Sequence, residues 1–86
     1  MAYKILMVED DSSIAAGLSY ALEKEGYLVT LCRKISQAFE EIKTVHFDLA
    51  LLDMQLPDGL GKEIGQKLLA EQTQVIYLTV VDDEDE

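Results

Sequence analysis

Three stretches of this chain are apolar without interruption: "ILMV" at Ile5–Val8, "LALL" at Leu49–Leu52 and "VIYL" at Val75–Leu78. A strand with one face in water alternates apolar and polar residues. One that is apolar at every position needs cover on both faces, which is the signature of a parallel sheet packed between helices. A fourth candidate strand, "LVTLC" at Leu28–Cys32, is somewhat more polar. Helical spacing fills the gaps. Ile14, Leu18, Ala21 and Leu22 share one helix face. Asp11 or Ser12 supplies its N-cap and Gly26 its C-terminal stop. Ile35, Phe39 and Ile42 mark a second helix, with Ser36 near its start. Leu60, Ile64 and Leu68 mark a third, which Gly65 weakens by ~1 kcal/mol relative to alanine. Pro57-Asp58-Gly59 signals a turn between strand and helix. The order β-α-β-α-β-α-β predicts one doubly wound parallel sheet with right-handed crossovers and helices on both faces.

Eighty-six residues suit one small domain with a thin core. No apolar run approaches the ~20 residues that span a bilayer, and no signal-peptide pattern opens the chain. The expected location is the cytoplasm, without membrane contact. The lone Cys32 has no partner for an internal disulfide, which fits a reducing compartment. A net charge of −10 argues against nucleic-acid binding by this segment, since phosphate backbones attract basic surfaces. Most of those acids serve solubility. The places where some of them fall suggest more.

In an open parallel sheet, function gathers outside the carboxyl ends of the strands. The first strand runs straight into Glu9 and Asp10, the third into Asp53, and the fourth into Thr79. If the first and third strands are neighbours, three carboxylates and a hydroxyl meet on one rim. Crowded carboxylates repel and raise at least one pKa. A hard divalent cation would offset that repulsion, and Mg²⁺ accepts one or two carboxylates together with waters and phosphate oxygens. Asp53 beside such an ion has the chemistry of a nucleophile toward phosphorus, forming an aspartyl phosphate. Thr79 is placed to donate a hydrogen bond to a phosphoryl oxygen.

The stretches "KILMVEDDSSI", "DLALLDMQLPDGLG" and "VIYLTVVDDEDE", with the spacing between them, cover essentially the whole chain. Together they resemble the receiver domain of two-component response regulators. The glutamate-first acid pair resembles the branch whose members carry a winged-helix DNA-binding domain. The resemblance implies a flavodoxin-like fold with strand order 2-1-3-4. It implies phosphorylation of Asp53 by a sensor histidine kinase, with Mg²⁺ (or Mn²⁺) as cofactor. It makes Asp10 a direct metal ligand, Glu9 a ligand largely through water, and the backbone carbonyl of Gln55 a further ligand. Thr79 becomes the hydroxyl that moves toward the phosphoryl group on switching. Pro57, Gly59 and Gly61 fit the family's turn into the third helix, and Asp11 falls outside the pocket as a helix cap.

Residues 1–86 then correspond to the N-terminal portion of a receiver, with 80–86 an acidic tail or the start of the next loop. The family continues with a fourth helix, a fifth strand and a fifth helix, carrying a lysine that pairs with the phosphoryl group and an aromatic switch residue. Lys62, Lys67 and Tyr77 do not match these, and Val80 stands where a small residue is usual. Without those elements the fourth strand is an edge and a template for association, as a dimer or a domain-swapped assembly.

Rival readings differ in their demands. A phosphohydrolase of the haloacid dehalogenase type wants Asp-x-Asp at its nucleophile, and "DMQ" does not supply it. A flavin-binding module wants a Ser-, Thr- and Gly-rich loop where "EDDSS" stands. An inert, structural interaction domain is the remaining alternative. His46 reads as a loop residue, Cys32 as a small core residue, and Met7 and Met54 as packing.

Overall fold

The computed structural model describes residues 3–78. Thr79, Val80 and the acidic tail lie outside the described residues. The elements are β1 (Lys4–Val8), α1 (Ser12–Lys24), β2 (Leu28–Cys32), α2 (Ile35–Ile42), β3 (Leu49–Asp53), β4 (Gln55–Leu56), β5 (Gly59–Leu60), α3 (Gly61–Ala70) and β6 (Gln74–Leu78). Four strands form one parallel sheet in the order β2-β1-β3-β6. With β6 as the fourth long strand, this is the expected 2-1-3-4 arrangement. The turn at Pro57-Asp58 is more ordered than the sequence suggests: β4 and β5 flank it as a short antiparallel hairpin.

The runs of β1 and β3 are largely buried, because their alternate residues point into two separate cores; the run of β6 is half-buried, with Ile76 exposed. Leu6, Val8, Ala50 and Leu52 pack with Ile35, Ala38, Phe47, Ile64 and Leu68 under α2 and α3. Ile5, Met7 and Leu51 pack with Ala15 under α1. The α1 side is thinner. Ala15 is its buried residue, Leu18 and Leu22 are half-buried, and Ala21, expected on the inner face, is exposed. Leu60 also departs from expectation. It is 42% exposed because the hairpin claims it, and α3 begins one residue later.

The helix ends follow their sequence signals. Asp11 is the N-cap of α1, its Oδ1 accepting from the Ile14 N–H at 3.0 Å. Gly26, with φ at 96°, closes the same helix in the left-handed region. Buried Thr73 donates from Oγ1 to the Phe47 carbonyl at 2.9 Å, tying the start of β6 to the loop before β3.

Gly65 is costly for an isolated helix, and packing explains its presence. It is buried on the face of α3 that meets the sheet, and a Cβ there would collide with the Tyr77 Oη. Helix propensity alone would make Gly65→Ala stabilising by ~1 kcal/mol. We expect instead a loss of about 1–3 kcal/mol in urea unfolding, the usual cost of overpacking. Removing the Tyr77 hydroxyl in Gly65→Ala/Tyr77→Phe should recover part of it. A single variant more stable than the parent would refute this packing account.

Candidate functional site

The site follows from strand register. Val8 lies opposite Cys32 on one side and Leu52 on the other. The three strands therefore end on one line, and the residues that follow, Glu9, Arg33 and Asp53, come out side by side. The neighbourhood of the first and third strands, on which convergence of the acids depended, is present. Asp53 lies opposite Leu78, the last described residue; Thr79 lies outside the described residues.

Glu9 is buried, at 4% exposure, although it is an acid at a strand end. Its N–H donates to the Cys32 carbonyl at 3.0 Å. Its Oε2 accepts from the Asp11 N–H at 2.9 Å. Burial pushes the Glu9 carboxyl above its ordinary value; the Asp11 N–H pulls the other way. The negative charge of Asp53 and a hydrogen bond shared with its carboxyl add to the rise, as does the charge of Asp11. Glu9 and Asp53 thus form a close carboxyl pair.

Asp10 is exposed on the rim, and its backbone carbonyl accepts from the Arg33 Nη2 at 2.9 Å. Asp53 is half-buried, and its Oδ1 faces the Gln55 N–H at 3.3 Å. Gln55 itself is exposed. Gly61 packs so tightly under this loop that a Cβ would overlap the Asp53 carbonyl oxygen, and its N–H donates to the Met54 carbonyl at 2.8 Å. Among the described residues, no three His, Cys, Asp or Glu side chains gather into a metal cage. What converges is a carboxyl pair, Glu9 with Asp53; Asp10, next to Glu9 in the chain, is exposed. Such a set fits a hexacoordinate, largely hydrated ion better than a site built from protein ligands alone.

Two residues of this region escaped the sequence reading. Arg33, the chain's single arginine, follows β2 as Glu9 follows β1, and register alone would have found it. Asp58 read only as a turn residue, yet its carboxylate reaches across to the start of α2. Cys32 is a buried core residue as expected; burial, and secondarily the charge of Glu41, push its thiol up to about 11, so it is not a ready nucleophile. His46 lies exposed in the loop before β3. No helix among the described residues is long and apolar enough to cross a membrane.

Fold and site together define a class: a doubly wound, flavodoxin-like α/β protein with paired acids at the carboxyl ends of two adjacent central strands. Comparison with known proteins narrows this. The model of the response regulator receiver domain matches residues 5–86, and the chain belongs to that family. It is 39% identical over 80 residues to the swarming motility regulation protein RssB of Serratia marcescens, covering 91% of this chain and 36% of that protein. It is 35% identical over 86 residues to the alkaline phosphatase synthesis transcriptional regulatory protein PhoP of Bacillus subtilis, covering 98% and 36%. The chain thus spans about a third of the length of these relatives. The crystal structure of a CheY-like receiver domain protein from Methanospirillum hungatei superimposes with a TM-score of 0.86 at 32% identity, covering 98% of this chain and 70% of that one. Receiver domains are signalling modules of two-component systems, working with sensor histidine kinases, and not dedicated enzymes.

The carboxyl pair makes stability depend on pH. In acid, Glu9 is protonated in the folded and unfolded chain alike, and the stability linked to its protonation is fully present. As pH rises past its ordinary value of 4.5, the unfolded chain ionises first, because the folded pKa is raised. Stability from this group therefore falls between 4.5 and the raised folded value, and the loss is complete above it. Glu9→Gln keeps an acceptor for the Asp11 N–H and removes the charge. In metal-free buffer it should exceed the parent's stability near pH ~7 and match it below pH ~4. An equal offset at both pH values in urea unfolding would show that the effect is not titration.

Proposed function

We propose that this chain is the phosphoacceptor part of a two-component signalling switch. On this reading Asp53 receives a phosphoryl group from the phosphohistidine of a sensor kinase. The observation that carries it is the close pair of Glu9 and Asp53 at the ends of adjacent strands, with one member buried against its charge. A chain that accepts such a cost at its carboxyl rim has a use for it.

Each residue then has a part. The Asp53 carboxylate oxygen attacks phosphorus; the P–N bond to the kinase histidine breaks as the new P–O bond forms. Glu9, Asp10, Asp53 and the Gln55 carbonyl would hold Mg²⁺, or Mn²⁺ in its place. When bound, the ion supplies charge neutralisation at the transferring phosphoryl group. The chain's own residues do the rest. Asp11 keeps the Glu9 carboxylate oriented through its N–H. Gly61 allows the loop after Asp53 to lie close beneath it. Thr79 is assigned the hydrogen bond to the phosphoryl group. Residues 1–86 are read as the N-terminal portion of the receiver. Phosphorylation adds roughly two negative charges and biases a two-state element. The name of PhoP says that this relative regulates transcription; in the full-length protein we infer that phosphorylation controls transcription, through a DNA-binding effector.

Labelling by acetyl phosphate with Mg²⁺ tests the assignment. The parent should acquire one acid-stable, base-labile phosphoryl group. Asp53→Asn should acquire none, and chelation of Mg²⁺ should abolish labelling of the parent. If Asp53→Asn labels as well as the parent, the phosphoacceptor reading is wrong.

A second reading, self-association, is favoured by one observation. Ile76 is 51% exposed on the α1 side of β6, which has no further strand beside it among the described residues. Light scattering that finds only monomer at high concentration would exclude it.

A further inference from the structure

The N-terminus of α2 is capped from a distance. A helix leaves its first N–H groups without partners inside the helix, and a neighbouring side chain usually accepts from them. Here the residue in the N-cap position is Lys34, which has no acceptor. The Asp58 carboxylate does the work instead, with Oδ1 on the Ile35 N–H at 2.8 Å and Oδ2 on the Ser36 N–H at 3.0 Å. These two hydrogen bonds hold the Asp58 carboxyl below its ordinary range. The N–H groups of Arg33 and Lys34 donate to the Gln37 Oε1 at 2.7 and 3.1 Å.

The same corner touches the other half of the site. Arg33 donates from its side chain to the Asp10 carbonyl, and the Cys32 carbonyl accepts from the Glu9 N–H. Residues 32–36 are therefore bonded on one side to the loop of Glu9 and Asp10, and on the other to the tip of the β4–β5 hairpin. That hairpin is closed at its root by Gly61 on Met54 and by Gln55 on Asp53. Fixing its tip fixes the Gln55 backbone relative to the acid loop.

We propose that Asp58 is a positioning residue of the site: its carboxylate, clasped on the first turn of α2, holds the hairpin that carries Gln55 in register with Glu9 and Asp10. Asp58 touches neither the ion nor the reacting atoms, and it acts through the loop. The proposal rests on the Mg²⁺-dependent phosphoacceptor reading and assigns a cause to the geometry that reading needs.

Calorimetric titration of the full chain with Mg²⁺ alone tests it, beside thermal unfolding without metal. Asp58→Ala and Asp58→Asn remove the same charge, but asparagine keeps an acceptor for the helix. The expected result is a Mg²⁺ Kd for Asp58→Ala roughly tenfold above that for Asp58→Asn, the low end of the scale for a lost supporting contact behind a metal ligand. Asp58→Glu keeps the charge and displaces the carboxylate; it should also weaken Mg²⁺, and it carries the test if Asp58→Ala fails to fold. A cap with a purely structural role would lower Tm in Asp58→Ala and leave its Kd equal to that of Asp58→Asn, which overturns the proposal and leaves the phosphoacceptor reading intact. A parent that binds no Mg²⁺ overturns both.

Discussion

The structure depends on β1 being paired on both sides. Its four apolar residues, Ile5 to Val8, are almost fully buried, two toward each core, and its backbone bonds to β2 and β3 in the plane of the sheet. Burial at both faces pins the register, because a slip of one residue would carry each side chain into the wrong core. That pinning has a consequence beyond stability. With Val8 opposite both Cys32 and Leu52, the positions just past the three strands coincide. Glu9 and Asp53 meet because the hydrophobic core leaves them nowhere else to be.

The meeting is unfavourable in itself. A buried carboxylate beside a second carboxyl, in a chain of net charge −10, has one backbone N–H to stabilise its charged form. The apolar sheet offsets that cost, and the local conflict marks the place where the sequence serves something other than folding. Arg33 does not relieve it by pairing. Its guanidinium bonds to the backbone carbonyl of Asp10, which leaves the carboxylates available to a cation.

Much of this was legible beforehand, and the reasons are specific. The apolar runs announced the strands of a parallel sheet, so element order and parallel pairing were legible from the residues, while the strand order came from the family resemblance. The acids at strand ends announced the rim. Asp11 and Gly26 announced the limits of α1 through their ordinary capping chemistry. What the sequence concealed was tertiary. Leu60 fits the periodicity of α3, but the hairpin takes it. Ala21 fits the inner face of α1, yet Ala15 is the residue that reaches the sheet. Gly65 looks like a flaw until the hydroxyl of Tyr77 is placed against it. Asp58 has every mark of a turn residue, and its contact with α2 joins residues 22 and 23 positions apart, which no local pattern records.

The hairpin between β3 and α3 is held differently from the rest. β3 cannot yield, since it is buried and paired on both sides. The hairpin reaches the core only through Leu56, while Met54, Gln55 and Leu60 remain exposed. Its order comes from hydrogen bonds: Gly61 to Met54, Gln55 to Asp53, and Asp58 to α2. Bonds of this kind near solvent are worth roughly 1 kcal/mol each, far less than the burial that fixes β3. Asp53, the proposed phosphoacceptor, therefore has a rigid strand behind it and a more weakly held loop in front. On the proposed function, uptake and release of a charged group would draw on this difference in stiffness, with the weakly held loop following the change in charge while the sheet keeps the carboxylates in place.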